Sequence, residues 1–172
     1  LTKWYWDVGD GSPVITATNN TTQVHTYGNA GTYNATLKVE TSTGCQSLIV
    51  PKQIIVRENP LSSFALTGNI CMPSGTANFT NNSTIGDGTQ NQLSYLWDFG
   101  DGKTSTDTNP VHNYTTTGPF TVTLTTTSNN GCVDDTIRAI TNIFIQPKAK
   151  FIVDSVEACF GGTFNFTDQS TA

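Results

Sequence analysis

Two pairs of acidic residues stand where a hard cation or a set of backbone amides would want them. Asp98 and Asp101 lie in Trp97-Asp98-Phe99-Gly100-Asp101-Gly102, and Asp7 and Asp10 in the near-copy Trp6-Asp7-Val8-Gly9-Asp10-Gly11. Carboxylates spaced this way beside glycines suit two kinds of chemistry. They can supply oxygens to calcium, which takes about six to eight. They can also accept backbone N–H bonds and pin a turn whose glycines permit positive φ. Only two carboxylates are close in each copy, with Asp87 of Gly86-Asp87-Gly88 as a more distant third in the second. The turn is therefore the preferred reading. Asp98 and Asp101 stand as weak calcium candidates, and no other cofactor is suggested.

Histidine is the next candidate. His25 precedes Tyr27 by two positions, as His112 precedes Tyr114. A catalytic imidazole needs a nucleophile or a metal beside it. Each copy has one histidine at the same place, which points to architecture rather than catalysis. No catalytic residue is assigned, and the segment is read as non-enzymatic. The four cysteines also fall into a pattern, early (Cys71, Cys159) and late (Cys45, Cys132) in each copy. A Cys71–Cys132 bridge is the favoured pairing. It would close a long loop, contribute about 4 kcal/mol in the chain-entropy model and place the protein in an oxidising compartment. A Cys45–Cys71 bridge across the junction, or four reduced and buried thiols, are the alternatives.

These residues recur because the chain repeats. His25 to His112 and Cys45 to Cys132 are both 87 residues apart, as are Phe79-Thr80 and Phe166-Thr167, and Pro60 and Pro147. A fixed period of this size means an array of like modules. The expected organisation is a partial module over 1–58, a complete one over 59–146 and the front of a third over 147–172. Both ends look cut from a longer polypeptide.

The elements that position the motifs read as strands. Phe120 to Thr125 and Tyr33 to Val39 alternate with period two, and Leu93, Tyr95, Trp97 and Phe99 share a face, as do Trp4 and Trp6. Further strands are expected at Ala77–Phe79, Phe164–Phe166, Gln53–Val56 and Asn142–Ile145. Turn clusters such as Asn129-Asn130-Gly131 separate them, and no segment keeps a 3.6-residue apolar period. This is an all-β sandwich pattern with no significant helix. Only 12% of residues are charged, 8 basic against 13 acidic, for a net charge of −5. The chain is instead rich in Thr and Asn, which favour strands and turns respectively. There is no basic patch to neutralise phosphates, so nucleic acid is excluded as a partner. No apolar run is long enough to span a membrane as a helix.

Trp97 to Gly102, then Pro110-Val111-His112-Asn113-Tyr114, then Gly118-Pro119-Phe120-Thr121-Val122-Thr123-Leu124 resemble the PKD domain, the immunoglobulin-like repeat of polycystin. Trp6 to Gly11, His25-Thr26-Tyr27 and Gly31 to Leu37 carry the same run, with Asp7-Val8 in place of the commoner Asp-Phe. The resemblance implies tandem immunoglobulin-like β-sandwiches in which Trp6, Asp7, Asp10, His25, Tyr27, Trp97, Asp98, Asp101, His112 and Tyr114 are a structural signature. The Thr/Asn-rich surface is most similar to arrays in large surface proteins of Bacteroidetes-type bacteria. That likeness implies O-glycosylation of the Asp-Ser/Thr-aliphatic type at Thr136 and Ser155. N-glycosylation sequons such as Asn113-Tyr114-Thr115 are also present. The expected role is a secreted or surface-exposed stalk whose partners are neighbouring repeats. A surface polysaccharide or protein ligand would bind through other domains. The alternative is a linker or substrate-presenting region of a secreted hydrolase, a chitinase or protease, with Trp4, Tyr5 or Tyr95 facing a polymer.

Overall fold

The structure, a computed structural model, describes residues 1–157 and 159–172. Strands β1 (Lys3–Asp7), β2 (Ile15–Ala17), β3 (Gly31–Glu40) and β4 (Val50–Val56) form an antiparallel sheet in the order β2-β1-β3-β4. The following residues build a two-layered unit from β5 (Phe64–Leu66), β6 (Ile70–Met72), β7 (Thr76–Asn81), β8 (Ser94–Asp98), β9 (Thr104–Ser105), β10 (Val111–Asn113), β11 (Phe120–Thr127), β12 (Val133–Ile140) and β13 (Ile143–Ile145). One layer has the order β12-β11-β8-β9 and the other β10-β7-β5. Strand β13 pairs in parallel with β6 and ties the C-terminal edge back to the front of the unit. A hairpin of β14 (Phe151–Val153) and β15 (Phe166–Asp168) follows. The protein is all-β, and one 3-10 turn at Gln90–Gln92 is the only helical element among the described residues.

Period-two alternation is what makes this a sandwich. In β11, Val122, Leu124 and Thr126 are buried while the intervening threonines face outward, because successive side chains of a strand point to opposite faces. Trp97 is fully buried at the centre, with Phe64 and Phe79 rings at 5.2 and 5.4 Å and Phe99 at 6.4 Å. Its indole N–H donates to the Asp107 carbonyl at 2.9 Å. This donation lets a large aromatic bury its surface without stranding a donor.

The edge strand β12, absent from the strands expected above, closes the unit with polar side chains. Asp134 accepts the Ser62 N–H at 2.7 Å, Thr136 donates to the Ser62 carbonyl at 2.5 Å, and Arg138 donates to the Phe64 carbonyl at 2.8 Å. These bonds replace a backbone ladder between β12 and the segment entering β5. Alternating acidic, hydroxyl and basic residues do not look like a buried strand, which is why periodicity alone passes over them.

Several expected strands differ in extent: β7 runs Thr76–Asn81 rather than Ala77–Phe79, and β13 begins at Ile143 rather than Asn142. Strand β4 begins at Val50 rather than Gln53, and β15 begins at Phe166 rather than Phe164. Trp6 occupies in β1 the place Trp97 has in β8, yet it is only half-buried, because among the described residues no second layer covers the sheet β2-β1-β3-β4.

Candidate functional site

The signature residues converge on one turn, built twice. In 59–146 strand β8 ends at Asp98, whose Oδ1 accepts the Gly100 N–H at 2.9 Å. Gly100 has φ +78°, and a Cβ there would collide with the backbone of Thr121 in β11. Glycine is thus required both for conformation and for close approach. Asp101 then uses both carboxylate oxygens: Oδ1 accepts the Lys103 N–H at 3.1 Å and Oδ2 lies 2.9 Å from His112 Nε2. Strand β10 supplies His112, buried, with its ring stacked on Phe99 at 4.1 Å and 3°. Tyr114 donates its hydroxyl to the Phe99 carbonyl at 3.0 Å and stacks on Phe120 at 4.3 Å. The stack leads directly into β11, so the pair braces the corner before that strand.

Residues 1–58 repeat the arrangement. Asp7 accepts the Gly9 N–H at 2.9 Å, and Asp10 accepts the Ser12 N–H at 3.0 Å and meets His25 Nε2 at 2.7 Å. Tyr27 donates to the Val8 carbonyl at 2.9 Å and stacks on Tyr33 at 4.5 Å. A Cβ on Gly9 would lie 2.6 Å from the Asn34 carbonyl oxygen, the counterpart of the Gly100 clash. The electrostatics follow the contacts. Hydrogen bonds from Ser12, then from His25, hold the Asp10 carboxyl at about 2. Burial, and then the negative charges of Asp101 and Asp98, push the Tyr114 phenol above its ordinary value.

This geometry holds a loop in place. Both oxygens of Asp101 are committed to protein donors, and Asp98 bonds its own turn. Asp87 lies before β8, at the opposite end of that strand from Asp98, and bonds Thr89 there at 2.9 and 2.6 Å. The three carboxylates considered for calcium are therefore not brought together. Among the described residues no three His, Cys, Asp or Glu side chains are grouped so as to hold a metal.

The Cys71–Cys132 bridge is not formed. All four cysteines are free thiols. Cys71 lies in β6 opposite Phe144 of β13, whereas Cys132 immediately precedes β12 in the turn after β11. The length of β12 lies between them, about 25 Å at about 3.3 Å per residue. A disulfide needs Cα atoms within about 7 Å. Loop length sets the entropy of closure but not the end of the sandwich at which each thiol sits.

Of the two expected sugar acceptors, Ser155 is exposed, and its hydroxyl donates to the Glu157 carbonyl at 2.7 Å. Thr136 is half-buried with its hydroxyl committed to Ser62. Sequence reasoning missed Gln90 and Asn109. Gln90 bonds Ile85 N–H and the Ser83 carbonyl, and Asn109 accepts the Asn81 N–H at 2.8 Å. A lone amide in a loop carries no spacing signal.

The two-layered sandwich and its twice-built turn define an immunoglobulin-like β-module. The family model described as PKD domain matches residues 1–55 and 58–143, most of the chain, and the chain belongs to the PKD domain family. The pre-pro-metalloprotease PrtV of Vibrio cholerae is 43% identical over 74 residues, 41% of this chain and 8% of that protein. Collagenase ColA of Bacillus cereus is 49% identical over 49 residues, 26% of this chain and 5% of that protein. The crystal structure of the PKD1 domain from the V. cholerae metalloprotease PrtV aligns with a TM-score of 0.43 at 34% identity, covering 50% of this chain and 99% of that one. This chain thus spans less than a tenth of the length of these curated relatives.

Proposed function

We propose that this segment is a non-catalytic spacer in a protein exported from the cell. In this reading residues 59–146 are a complete PKD module, 1–58 the C-terminal part of one and 147–172 the N-terminal part of another. The observation that carries it is the repetition of the Asp–His–Tyr turn, in which the carboxylate, the imidazole Nε2 and the phenol hydroxyl bond within the module, at Asp10, His25 and Tyr27 and again at Asp101, His112 and Tyr114. Groups bonded in this way position the backbone rather than face a substrate. Pro60 and Pro147 begin the two later modules with φ fixed, which limits bending at the junctions. Distal domains would engage the polysaccharide or protein ligand. Intact mass and peptide mapping of the parent polypeptide from its native source test this reading. Many repeats in series are expected, and a catalytic domain beside one to three repeats would overturn it.

A second reading is favoured by the relatives themselves, a metalloprotease and a collagenase. Here the segment is an accessory region of a secreted hydrolase that presents an aromatic to a polymer. Of the three aromatics considered, Tyr95 packs against the core and Trp4 shares the inner face of Trp6. Tyr5 is on the outer face, with Lys38 Nζ 4.9 Å over its ring and its hydroxyl donating to Glu40 at 3.0 Å. Sedimentation of the chain with an insoluble polysaccharide or collagen, lost in Tyr5→Ala, is the expected result of that reading. Absence of co-sedimentation removes it.

A further inference from the structure

The two thiols of the complete module sit at its opposite ends. The chain enters this module at Pro60, where Leu61 bridges Thr84 and Asp134 accepts the Ser62 N–H. Thr136 also reaches Ser62, and Arg138 reaches Phe64, so the entering segment runs alongside β12 in the same direction. Cys132, two residues before Asp134, is therefore level with Pro60 at the entry end. The chain leaves through β13, where Cys71 lies opposite Phe144. Met72 and Pro73 border one hollow with Ile145, Gln146, Pro147 and Lys148. Cys71 is thus at the exit end, beside the segment that leads on to Pro147.

Each thiol is presented by a built turn. Cys132 donates its N–H to Ser128 Oγ at 3.1 Å, and its carbonyl accepts the Ser128 N–H at 2.9 Å. Gly131, at φ +81°, donates to the Ser128 carbonyl at 3.0 Å. Cys45 stands in the same turn. Its N–H donates to Thr41 Oγ1 at 3.1 Å, its carbonyl accepts the Thr41 N–H at 2.9 Å, and Gly44 at φ +86° donates to the Thr41 carbonyl at 3.1 Å. At the other end the Cys71 carbonyl accepts the Gly75 N–H at 3.1 Å and the Ser74 hydroxyl at 3.0 Å. Packing does not account for these residues. Free cysteine is among the most buried residue types, yet Cys45, Cys71 and Cys159 are exposed and Cys132 is half-buried.

The period supplies the partner. In a series of such modules the exit end of one meets the entry end of the next. Entry thiols recur as Cys45 and Cys132, and early, exit-type thiols as Cys71 and Cys159. Cys71 is level with Phe144, and an entry thiol of the following module would be level with Pro147, the counterpart of Pro60. That step is three residues, at most about 10 Å when fully extended, and any bend at the junction shortens it. Within one module the length of β12 separates the two thiols instead.

We propose that Cys71 forms a disulfide with the counterpart of Cys132 in the module that follows, and Cys132 with the counterpart of Cys71 in the module before. Each junction is then crossed by a covalent staple as well as by the backbone. The step is thiol–disulfide exchange: the two thiols give up two electrons and two protons to a disulfide oxidant, which leaves as two thiols while the new S–S bond forms. The inference rests on the reading of modules in series.

Non-reducing peptide mapping of the parent protein from its native source, with iodoacetamide added before extraction, is the test. Trypsin places Cys71 on peptide 58–103 and Cys132 on peptide 104–138. Neither is expected to carry the alkyl group. Each is expected in a cross-linked pair that reduction splits, 58–103 with a peptide of the following module and 104–138 with one of the preceding module. Alkylated Cys71 or Cys132 overturns the proposal, as does a link between 58–103 and 104–138 themselves or to a separate polypeptide. The same map counts the modules. A short series beside a catalytic domain therefore overturns the spacer reading, while the linked peptides alone decide the staple.

Discussion

Asp10 and Asp101 each accept a backbone N–H and meet one histidine. Asp10 titrates at about 2 rather than 3.8, because the folded turn offers its carboxylate the Ser12 and His25 bonds. A depressed carboxyl stabilises the fold above its unfolded value. That contribution is therefore complete above about pH 4 and disappears as pH falls from about 4 to about 2. Carboxyl NMR titration should place Asp10 well below Asp in unfolded peptides, and Asp10→Asn should flatten the stability profile in this window. Tyr114 has the opposite sign: its folded phenol is raised, first by burial, so its contribution is whole below about pH 10 and lost as pH climbs through the alkaline range. Tyr114→Phe should remove this alkaline dependence and cost about 1 kcal/mol at neutral pH through loss of the Phe99 bond, measured by urea unfolding. Gly100→Ala combines a positive φ with a collision against Thr121 and should cost about 2 kcal/mol or more.

At the scale of elements, β12 decides both the closure of the sandwich and the fate of the thiols. Its length keeps Cys71 and Cys132 apart, so reductant should leave the thermal midpoint of the complete module unchanged. A drop of several degrees on adding dithiothreitol would show that a bridge forms after all. Closure is carried by side chains rather than a ladder. Arg138→Met, which keeps the stem over Phe64 but not the bond to its carbonyl, should destabilise by about 1 kcal/mol in denaturant unfolding. The alternation in β11 and β8 was legible in the sequence because one face of each is apolar. Strand β12 was not, since its inward residues are Asp134, Thr136 and Arg138, whose partners at Ser62 and Phe64 are about seventy residues away.

For the molecule as a whole, the same tryptophan position meets two environments. Trp97 is sealed between two layers, whereas Trp6 lies on one uncovered layer. Trp97→Ala should cost about 3 to 5 kcal/mol in the complete module. Trp6→Ala should cost much less, because Trp6 is only half-buried. Fluorescence should resolve a shielded component that is lost with Trp97 and a quencher-accessible one carried by Trp4 and Trp6.

The sequence by itself determined the repeat, the family and the turn residues. Those depend on local spacing: glycine beside aspartate, histidine two before tyrosine, and an 87-residue period that copies each of them. Tertiary structure alone decided which carboxylates stay apart, which thiols cannot meet and which aromatics are covered. Each of these depends on the end and layer of the sandwich that a residue reaches. Strand length and pairing order set that position, and residues distant in sequence determine both.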